Sequence, residues 1–501
     1  MQYLMGLDIG TSGVKALLLS QNGEIITTAT ESYPLDTPKA GWAEQNPKDW
    51  WEAVVKVINK TINKDNINPA DIAGLSLSGQ MHSSVFLDEN MEVIRPAILW
   101  SDTRTEKQCK EIENKAGGLE NLIKKVSNPA LEGFTAPKIL WLKQNEPENY
   151  KKVNYVLMPK DYIRYKLTGK INTEVSDAAG TLLFDVKKKE WSKELAKLID
   201  IDTNILPPVI ESVEVGGKVN KSTSQISELK EGIPVVAGGA DNACGAVGSG
   251  IIKEGRVMVS IGSSGVVLAQ TNNATADSKG RIHLFNHAKP NSWYMMGVML
   301  SAGVSFNWLK NSLFDQNMDY EELNKKAEAV APGSEGLIFL PYLYGERTPH
   351  NDANARGVFF GISGRHKQGH FIRSVMEGVT FGLKDSLRLI KDQDVKIEEI
   401  RAIGGGVKSR VWQQILADIM GQNIKLLNVE EGPAYGAAII AGVGVEIFNS
   451  FQKVSEKIIK VEEEITPIKE NVKSYEKYYQ IYKDLYPSLK TEYKKLSKLN
   501  Y

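Results

Sequence analysis

The hexapeptide IGTSGV at residues 9–14 recurs 252 residues later as IGSSGV at residues 261–266. Each copy lies between aliphatic segments, which predicts a tight glycine-containing loop between two strands. A chance repeat is the alternative, because turns of Gly, Ser and Thr are common. The offset is about half of the 501-residue chain, which favours two domains of one ancestral design, each presenting one such loop.

Aliphatic and β-branched residues surround the first copy. They predict a meander of short strands, one beginning near Leu4, a second resuming after Gly13 and a third at 25–28. A dinucleotide-binding fold would instead open a helix directly after the glycines. Later segments have apolar residues either at helical spacing or in short strand-like runs. They predict helices at 46–60 and 471–499 and strands at 72–77 and 233–237.

The charge balance and the cysteine count exclude several classes of function. The chain has 61 basic and 61 acidic residues, so it has no global field to hold nucleic acid or an acidic membrane surface. Two cysteines are too few for a disulfide framework or a cysteine-based zinc site. No charged leader segment opens the sequence, and no apolar run approaches the ~18 residues of a transmembrane helix. We therefore expect a cytoplasmic globular protein that binds neither nucleic acid nor a membrane.

Both glycine loops are candidate phosphate sites, because consecutive small residues let backbone N–H groups converge on an anion. Asp8 directly precedes the first loop, and its carboxylate suits Mg²⁺, which prefers one or two carboxylates and several waters. Either loop alone could be a plain hairpin turn. The pair, with a carboxylate in only one copy, favours phosphate binding. Additional donors are available from Thr11, Ser12, Lys15, Ser263 and Ser264.

A third glycine cluster, Gly404-Gly405-Gly406, follows the strand-like run 400–403 and precedes Lys408 and Ser409. A strand, three glycines and a helix beginning near Ser409 would let a flat adenosine lie against the backbone. The P-loop pattern G-x-x-x-x-G-K-[ST] is absent from the sequence, so a nucleotide site needs this alternative. A glycine triplet alone does not establish it.

Asp241 is the candidate catalytic residue. It follows Gly238-Gly239-Ala240 at a predicted strand end, where small residues leave space around the carboxylate. A carboxylate in that position can accept a proton from a substrate hydroxyl, an effect worth about 10²–10⁴-fold in rate. The alternative is that Asp241 caps a helix through 243–247, and the two roles are compatible.

The segment Gln80-Met81-His82 follows another predicted strand and carries an amide, a thioether and an imidazole in succession. This mixture suits a polyol, which needs donors, acceptors and an apolar wall. Trp100 begins a second segment, residues 100–104, that also combines an aromatic side chain with polar and charged ones. A single histidine is more often structural, so a structural role for His82 is the alternative.

These motifs together resemble the FGGY carbohydrate kinases, which have the sugar kinase/actin/Hsp70-like ATPase fold, a ribonuclease H-like fold. Residues 6–15 are similar to the first phosphate motif of the family and 260–265 to its second. Residues 404–409 are similar to its adenosine motif, and 133–141 and 356–361 resemble its two signatures. The resemblance covers nearly the whole chain, with the motifs in one order.

The resemblance implies an α/β fold of two domains around a central cleft, with residues 1–245 binding sugar and phosphate and residues 246–501 binding the nucleotide. It implies phosphorylation of the 5-hydroxyl of D-xylulose by ATP with Mg²⁺, and closure of the domains when the sugar binds. Asp241 would be the general base and Asp8 the metal ligand. Sugar contacts would come from Gln80, Met81, His82, Trp100, Asp241 and Asn242. Nucleotide contacts would come from Thr11, Ser12, Lys15, Gly262, Ser263, Ser264, Gly404, Gly405, Gly406 and Lys408.

Other functions stay open at the level of the sequence. Some gluconate kinases of the family also have serine after the Met-His pair, as Ser83 does here, so a kinase for gluconate, ribulose or glycerol is the first alternative. A non-catalytic sugar sensor is the second, but such a sensor should have lost Asp241, Asp8 or Lys15, and all three are present. The sequence leaves homodimer formation open.

Overall fold

The computed structural model describes residues 1–65, 67–314, 318–429 and 432–499. The chain divides into two compact units. Unit 1 comprises Met1–Lys253, Gln270–Tyr294 and Glu431–Lys460, and unit 2 comprises Glu254–Ala269, Met295–Glu430 and Val461–Tyr501. Unit 1 therefore contains two segments from the second half of the sequence. No helix in the described ranges is both long and apolar enough to cross a bilayer.

The strands in chain order are β1 (Tyr3–Ile9), β2 (Gly13–Ser20), β3 (Ile25–Ser32), β4 (Glu44–Gln45), β5 (Ile72–Gly79), β6 (Val85–Leu87), β7 (Ala97–Ile98), β8 (Tyr155–Leu157), β9 (Thr173–Glu174), β10 (Phe184–Asp185), β11 (Glu190–Trp191), β12 (Val209–Ile210), β13 (Val215–Lys218), β14 (Pro234–Ala240), β15 (Arg256–Ile261), β16 (Gly265–Thr271), β17 (His283–Asn286), β18 (Trp293–Met299), β19 (Ile338–Leu340), β20 (Val358–Phe360), β21 (Glu399–Ile403), β22 (Ile424–Leu427) and β23 (Val461–Ile465).

The α-helices are α1 (Pro47–Lys64), α2 (Glu106–Lys115), α3 (Leu119–Val126), α4 (Thr135–Asn145), α5 (Pro147–Tyr150), α6 (Pro159–Thr168), α7 (Val175–Ala179), α8 (Lys193–Leu198), α9 (Lys221–Ser227), α10 (Asp241–Gly248), α11 (Gly303–Leu313), α12 (Tyr320–Glu328), α13 (Gln368–Lys391), α14 (Arg410–Met420), α15 (Gly432–Gly444), α16 (Phe451–Ile458) and α17 (Lys469–Leu496). The predicted helices at 46–60 and 471–499 are confirmed as α1 and α17. Asn46 caps α1 by accepting a hydrogen bond from Lys48 N, and Pro47 suits its first position.

The main sheet of unit 1 has the strand order β13-β14-β5-β1-β2-β3. Strands β14, β5 and β1 are parallel to one another, while β2 and β3 return antiparallel. This arrangement confirms the predicted meander of the first three strands. Leu75 and Leu77 in β5 are fully buried, as expected for a central parallel strand that is covered on both faces.

Helix α15 packs at backbone distance against two elements of unit 1. A Cβ atom on Gly6 of β1 would lie 2.0 Å from Ala434 O, and one on Gly436 would lie 1.8 Å from Cys244 O of α10. Neither distance leaves room for a side chain, so glycine is required at both positions. Helix α15 therefore fixes β1 and α10, whose ends carry Asp8 and Asp241.

In unit 2, the strands β16, β15, β21, β22 and β23 are consecutive neighbours in one sheet. Strand β15 is antiparallel to β16 and parallel to β21. Strand β1 in unit 1 has the same relation to β2 and β5. The two copies of the hexapeptide therefore connect equivalent strands of two similar sheets, which is the arrangement that the repeat predicted.

Candidate active site

Three parallel strands of unit 1 end in register. Ile9 at the end of β1 is paired with Gly79 at the end of β5, and Gly79 is paired with Ala240 at the end of β14. In open α/β sheets, ligands bind outside the carboxyl ends of the strands. The first phosphate loop, the segment 80–82 and Asp241 each follow one of these three ends, so the structure brings them together at one edge.

A bulge in β14 directs the strand end that carries Asp241. The pairing with β5 shifts register between Val236 and Gly239, and Gly238 has φ +83°. A Cβ atom on Gly238 would lie 1.9 Å from Leu77 O, so the bulge requires glycine here. Bulges often re-aim side chains beside active sites.

Asp241 is the first residue of α10, and Ala240 occupies the N-cap position. The Asp241 carboxylate accepts hydrogen bonds on Oδ1 from Asn242 N at 2.7 Å and from Asn242 Nδ2 at 2.9 Å. The alternative that Asp241 is the N-cap residue is therefore wrong by one position, because Asp241 is the first residue of the helix itself. The carboxylate still bonds a backbone N–H at the helix N-terminus, where a negative charge is favoured.

The Asp241 carboxyl titrates close to neutral pH. Burial raises its pKa to about 7, the negative charge of Asp8 adds to the rise, and the hydrogen bonds from Asn242 oppose it. Burial also raises the pKa of Asp8, against the lowering effect of Ser78 and Lys15. A carboxylate with a pKa near the working pH has the strength that general base catalysis needs.

Asp8 is suited to a metal ion that keeps its own waters. Its Oδ1 atom is buried and has no hydrogen-bond partner. Among the described residues there is no cluster of three or more His, Cys, Asp or Glu side chains that could hold a metal by themselves. Mg²⁺ commonly uses one or two carboxylates together with water and substrate phosphates. The donor set at Asp8 therefore fits Mg²⁺ bound with a phosphate.

Two side chains that sequence reasoning missed donate hydrogen bonds to the backbone of the first glycine loop. Gly10 N donates to Gly13 O at 3.0 Å, and the Tyr33 hydroxyl donates to Gly10 O. Gln45 Nε2 donates to Thr11 O at 2.8 Å. These contacts leave Ser12 exposed at the tip of the loop. No local pattern marks Tyr33 or Gln45, because their partners are distant in the sequence.

Gln80 is buried, and its amide contacts protein groups. Gln80 Nε2 donates to Gln45 Oε1 at 3.2 Å, and Thr11 Oγ1 donates to Gln80 Oε1 at 3.4 Å. Trp50 Nε1 also donates to Gln45 Oε1, at 3.0 Å. The segment after β5 and the phosphate loop after β1 are thus joined through two buried amides.

Met81, His82 and Trp100 lie around the same strand ends. His82 has φ +66°, which is uncommon for a residue with a side chain and is often found at functional sites. Its Nδ1 lies 2.6 Å from Gly180 O; since a carbonyl oxygen only accepts, Nδ1 carries the proton. Asn242 Nδ2 is 3.8 Å from Met81 Sδ. Trp100, 38% exposed, donates from Nε1 to Thr11 Oγ1 at 2.9 Å.

The second glycine loop and the glycine triplet meet in unit 2. Ser260 near the end of β15 is paired with Ile403 at the end of β21, and a Cβ atom on Gly404 would lie 2.7 Å from Ile261 O. Gly262 N donates to Ser264 O at 3.1 Å. The segment Gly405–Lys408 forms a 3₁₀ turn, so Gly262, Ser263, Ser264, Gly404, Gly405, Gly406 and Lys408 lie at one edge of this sheet.

The helix predicted to begin near Ser409 is confirmed as α14. The Ser409 hydroxyl caps it by accepting from Trp412 N at 3.3 Å. Sequence reasoning missed the N-terminus of α11, which supports the second loop. Ala302 N donates to Ser263 O at 3.1 Å, and Gly303 N donates to Gly262 O at 2.8 Å.

Family models identify the chain along most of its length. The model of the FGGY family of carbohydrate kinases, N-terminal domain, matches residues 3–248, and that of the C-terminal domain matches residues 257–445. The chain belongs to the FGGY family of carbohydrate kinases. It is a carbohydrate kinase with a two-domain α/β fold, and ATP is its phosphoryl donor.

Individual relatives have the same length and fold. The chain is 44% identical to the xylulose kinase of Bacillus subtilis (strain 168) over 460 residues, which covers 92% of each chain. It aligns with a ligand-bound xylulose kinase from Lactobacillus acidophilus at a TM-score of 0.93 and 27% identity, covering 99% of this chain and 100% of the other. A gluconate kinase from L. acidophilus aligns at a TM-score of 0.93 and 27% identity, covering 99% of both chains. Structural similarity therefore shows the fold and does not distinguish the sugars.

Proposed function

We propose that this kinase transfers the γ-phosphoryl group of ATP to the 5-hydroxyl of D-xylulose, giving xylulose 5-phosphate and ADP. The choice of sugar is supported by the 44% identity to a xylulose kinase over 92% of the chain. The chemistry is supported by one observation above all. A carboxyl with a pKa of about 7, that of Asp241, lies at the strand end next to the candidate sugar and phosphate segments.

Asp241 is the general base in this proposal. The 5-hydroxyl oxygen attacks the γ-phosphorus in line, its proton passes to the Asp241 carboxylate, and the bond from phosphorus to the ADP oxygen breaks. The hydrogen bonds from Asn242 to Oδ1 hold the carboxylate in one orientation. Positioning of this kind contributes much of the rate in phosphoryl transfer.

Each unit has its own contacts to the nucleotide in this proposal. Backbone N–H groups of the loop, including that of Thr11, the Ser12 hydroxyl and the charge of Lys15 bind phosphate oxygens in unit 1. The Thr11 hydroxyl donates its one proton to Gln80 Oε1. Mg²⁺ held by Asp8 offsets negative charge on the phosphates when it is bound. In unit 2, Gly262, Ser263, Ser264, Gly404, Gly405, Gly406 and Lys408 contact the nucleotide. Unit 1 is thus the sugar- and phosphate-binding domain, and unit 2 the nucleotide-binding domain.

Met81, His82, Trp100 and Asn242 contact the sugar in this proposal. His82 presents a ring whose tautomer is set by the hydrogen bond to Gly180 O, and Met81 provides an apolar wall. Gln80 acts through the phosphate loop, because its amide is bonded to Gln45 and Thr11.

A coupled ADP-release assay over a sugar panel tests the substrate. We expect kcat/KM for D-xylulose to exceed that for D-ribulose, gluconate and glycerol by at least ~10²-fold, because a site built to hydrogen-bond one hydroxyl strongly rejects an epimer or an analogue without it. Fastest turnover on gluconate or D-ribulose, with D-xylulose near background, would show that the substrate is wrong while leaving the kinase activity intact.

A further inference from the structure

A fully buried cluster of charged side chains lies behind the strand end that carries Asp241. Lys160 Nζ, on α6, is 2.7 Å from Asp161, 3.2 Å from Glu174 and 3.1 Å from Asp177, and none of the four side chains has solvent exposure. Burying this many charges is expensive unless they are paired and hydrogen-bonded. None of these four side chains is among the residues that the proposed function assigns to the chemistry or to the sugar.

Strand β14 loses its neighbour just before the bulge. Strand β13 is paired with it only as far as Val236, on the side opposite β5. On this side of β14, backbone groups beyond Val236 bond to residues outside the sheet. Ala237 O accepts from Arg164 Nη1 at 2.8 Å, and Ala240 N donates to Ser176 Oγ at 2.9 Å. Ala240 directly precedes Asp241, so on the side of β14 away from β5 this is the last hydrogen bond before the proposed base.

Glu174 fixes the direction of the Ser176 hydroxyl. The Ser176 Oγ atom lies 2.8 and 2.9 Å from the two Glu174 carboxylate oxygens. A carboxylate can only accept, so the single hydroxyl proton points to Glu174 and a lone pair is left for Ala240 N. The same carboxylate also accepts from Asp177 N at 2.8 Å and from Ser212 Oγ at 2.6 Å. Glu174 is therefore held at several points and cannot follow a displaced serine.

The short helix α7 contacts both the strand end before Asp241 and the ring of His82. Ser176 in its first turn bonds Ala240 N, and Gly180 at its C-cap accepts from His82 Nδ1 at 2.6 Å. One rigid turn thus contacts the backbone next to the proposed base and the ring of a proposed sugar ligand.

We propose that Ser176, held by Glu174, is a positioning residue for Asp241. It anchors the bulged end of β14 and so sets where the carboxylate stands relative to the sugar hydroxyl. This inference rests on the proposed function of Asp241, and it assigns a catalytic consequence to a buried cluster that touches no substrate.

The test compares Ser176→Ala with Ser212→Ala. Both variants remove one buried hydroxyl that donates to Glu174, but only the first leaves Ala240 N without a partner. We expect kcat of Ser176→Ala to fall about 10-fold or more, with KM for D-xylulose and ATP within about threefold of wild type, because misplacing a catalytic group by a fraction of an ångström lowers the rate more than the binding. Ser212→Ala should keep kcat within about twofold.

Thermal unfolding of both variants separates positioning from general destabilisation. Equal loss of kcat in the two variants, or a kcat of Ser176→Ala that is unchanged, would overturn the positioning role. If Asp241→Asn itself kept wild-type turnover, the failure would lie with the proposed general base, whatever Ser176→Ala shows. Ser176→Ala should unfold a few degrees below Ser212→Ala, since it loses the hydrogen bond from Ala240 N as well as the one to Glu174, whereas Ser212→Ala loses only the one to Glu174. The two kcat values are therefore compared at a temperature at which both variants are fully folded.

Discussion

Replacing Asp241 with Asn should reduce the turnover of D-xylulose by at least ~10²–10⁴-fold. The amide has the shape of the carboxylate and can still accept the hydrogen bonds from Asn242 N and Nδ2. It cannot take the proton of the 5-hydroxyl. The variant should therefore fold and bind ADP as the wild type does, as measured by calorimetric titration, while steady-state phosphorylation is nearly lost.

The pH dependence of kcat/KM should reflect the ionisation of the Asp241 carboxyl. Because the base must be ionised, kcat/KM of the wild type should fall with decreasing pH below about 7, the pKa of Asp241. The residual activity of Asp241→Asn should lack this acid limb. A variant with a substantial part of wild-type turnover, or with the same acid limb, would contradict the general base role.

Asp241→Asn should also stabilise the folded chain at high pH. The folded pKa of about 7 lies above the ordinary value of 3.8, so ionising this carboxyl disfavours folding. Above pH 7 the variant avoids this cost, which is on the order of 4 kcal/mol. The difference should shrink as the pH falls from 7 to 4, and vanish below, where the carboxyl is protonated in both states. Thermal unfolding of the two proteins at pH 8 and pH 4 measures it.

Replacing Gly436 with Ala should strongly destabilise unit 1. The added Cβ would lie 1.8 Å from Cys244 O, which is a backbone atom of α10 and cannot rotate away. Helices α15 and α10 must then move apart, at a cost of about 3 kcal/mol or more. We expect a melting temperature lower by about 6 °C or more, and reduced kcat in the folded fraction because α10 begins with Asp241.

Gly245→Ala is the matched control for this helix pair. Gly245 is a buried glycine of α10, but a Cβ there meets only Pro433 Cγ, at 3.9 Å, an ordinary van der Waals contact. Alanine has the higher helix propensity by about 1 kcal/mol, so this variant should be as stable as the wild type or more stable. Similar melting temperatures for the two variants would contradict the close backbone contact between α10 and α15.

The strand ends of the site were predictable because each has a local signature. The apolar runs at 72–77 and 233–237 are followed by small or polar residues, and they form β5 and β14. Parallel neighbours end at one edge of a sheet, which brings the residues after them together. The repeat of the glycine loop likewise predicted two similar sheets.

The side chains that support the site could not be predicted in the same way. Gln45 bonds the backbone of Thr11, 34 residues away, and Ser176 bonds that of Ala240, 64 residues away. Neither residue lies in a periodic pattern, since each is defined by a partner that only the tertiary fold supplies. The same holds for Gly436, whose contact with Cys244 depends on how two helices cross.

A phosphorus–proton correlation spectrum of the product formed from D-xylulose and ATP tests the proposed reaction most directly. The proposal predicts one sugar phosphate whose phosphorus couples to the two protons on C5, together with an equal amount of ADP. Coupling to the C1 protons, or release of inorganic phosphate without a sugar phosphate, would contradict the transfer to the 5-hydroxyl.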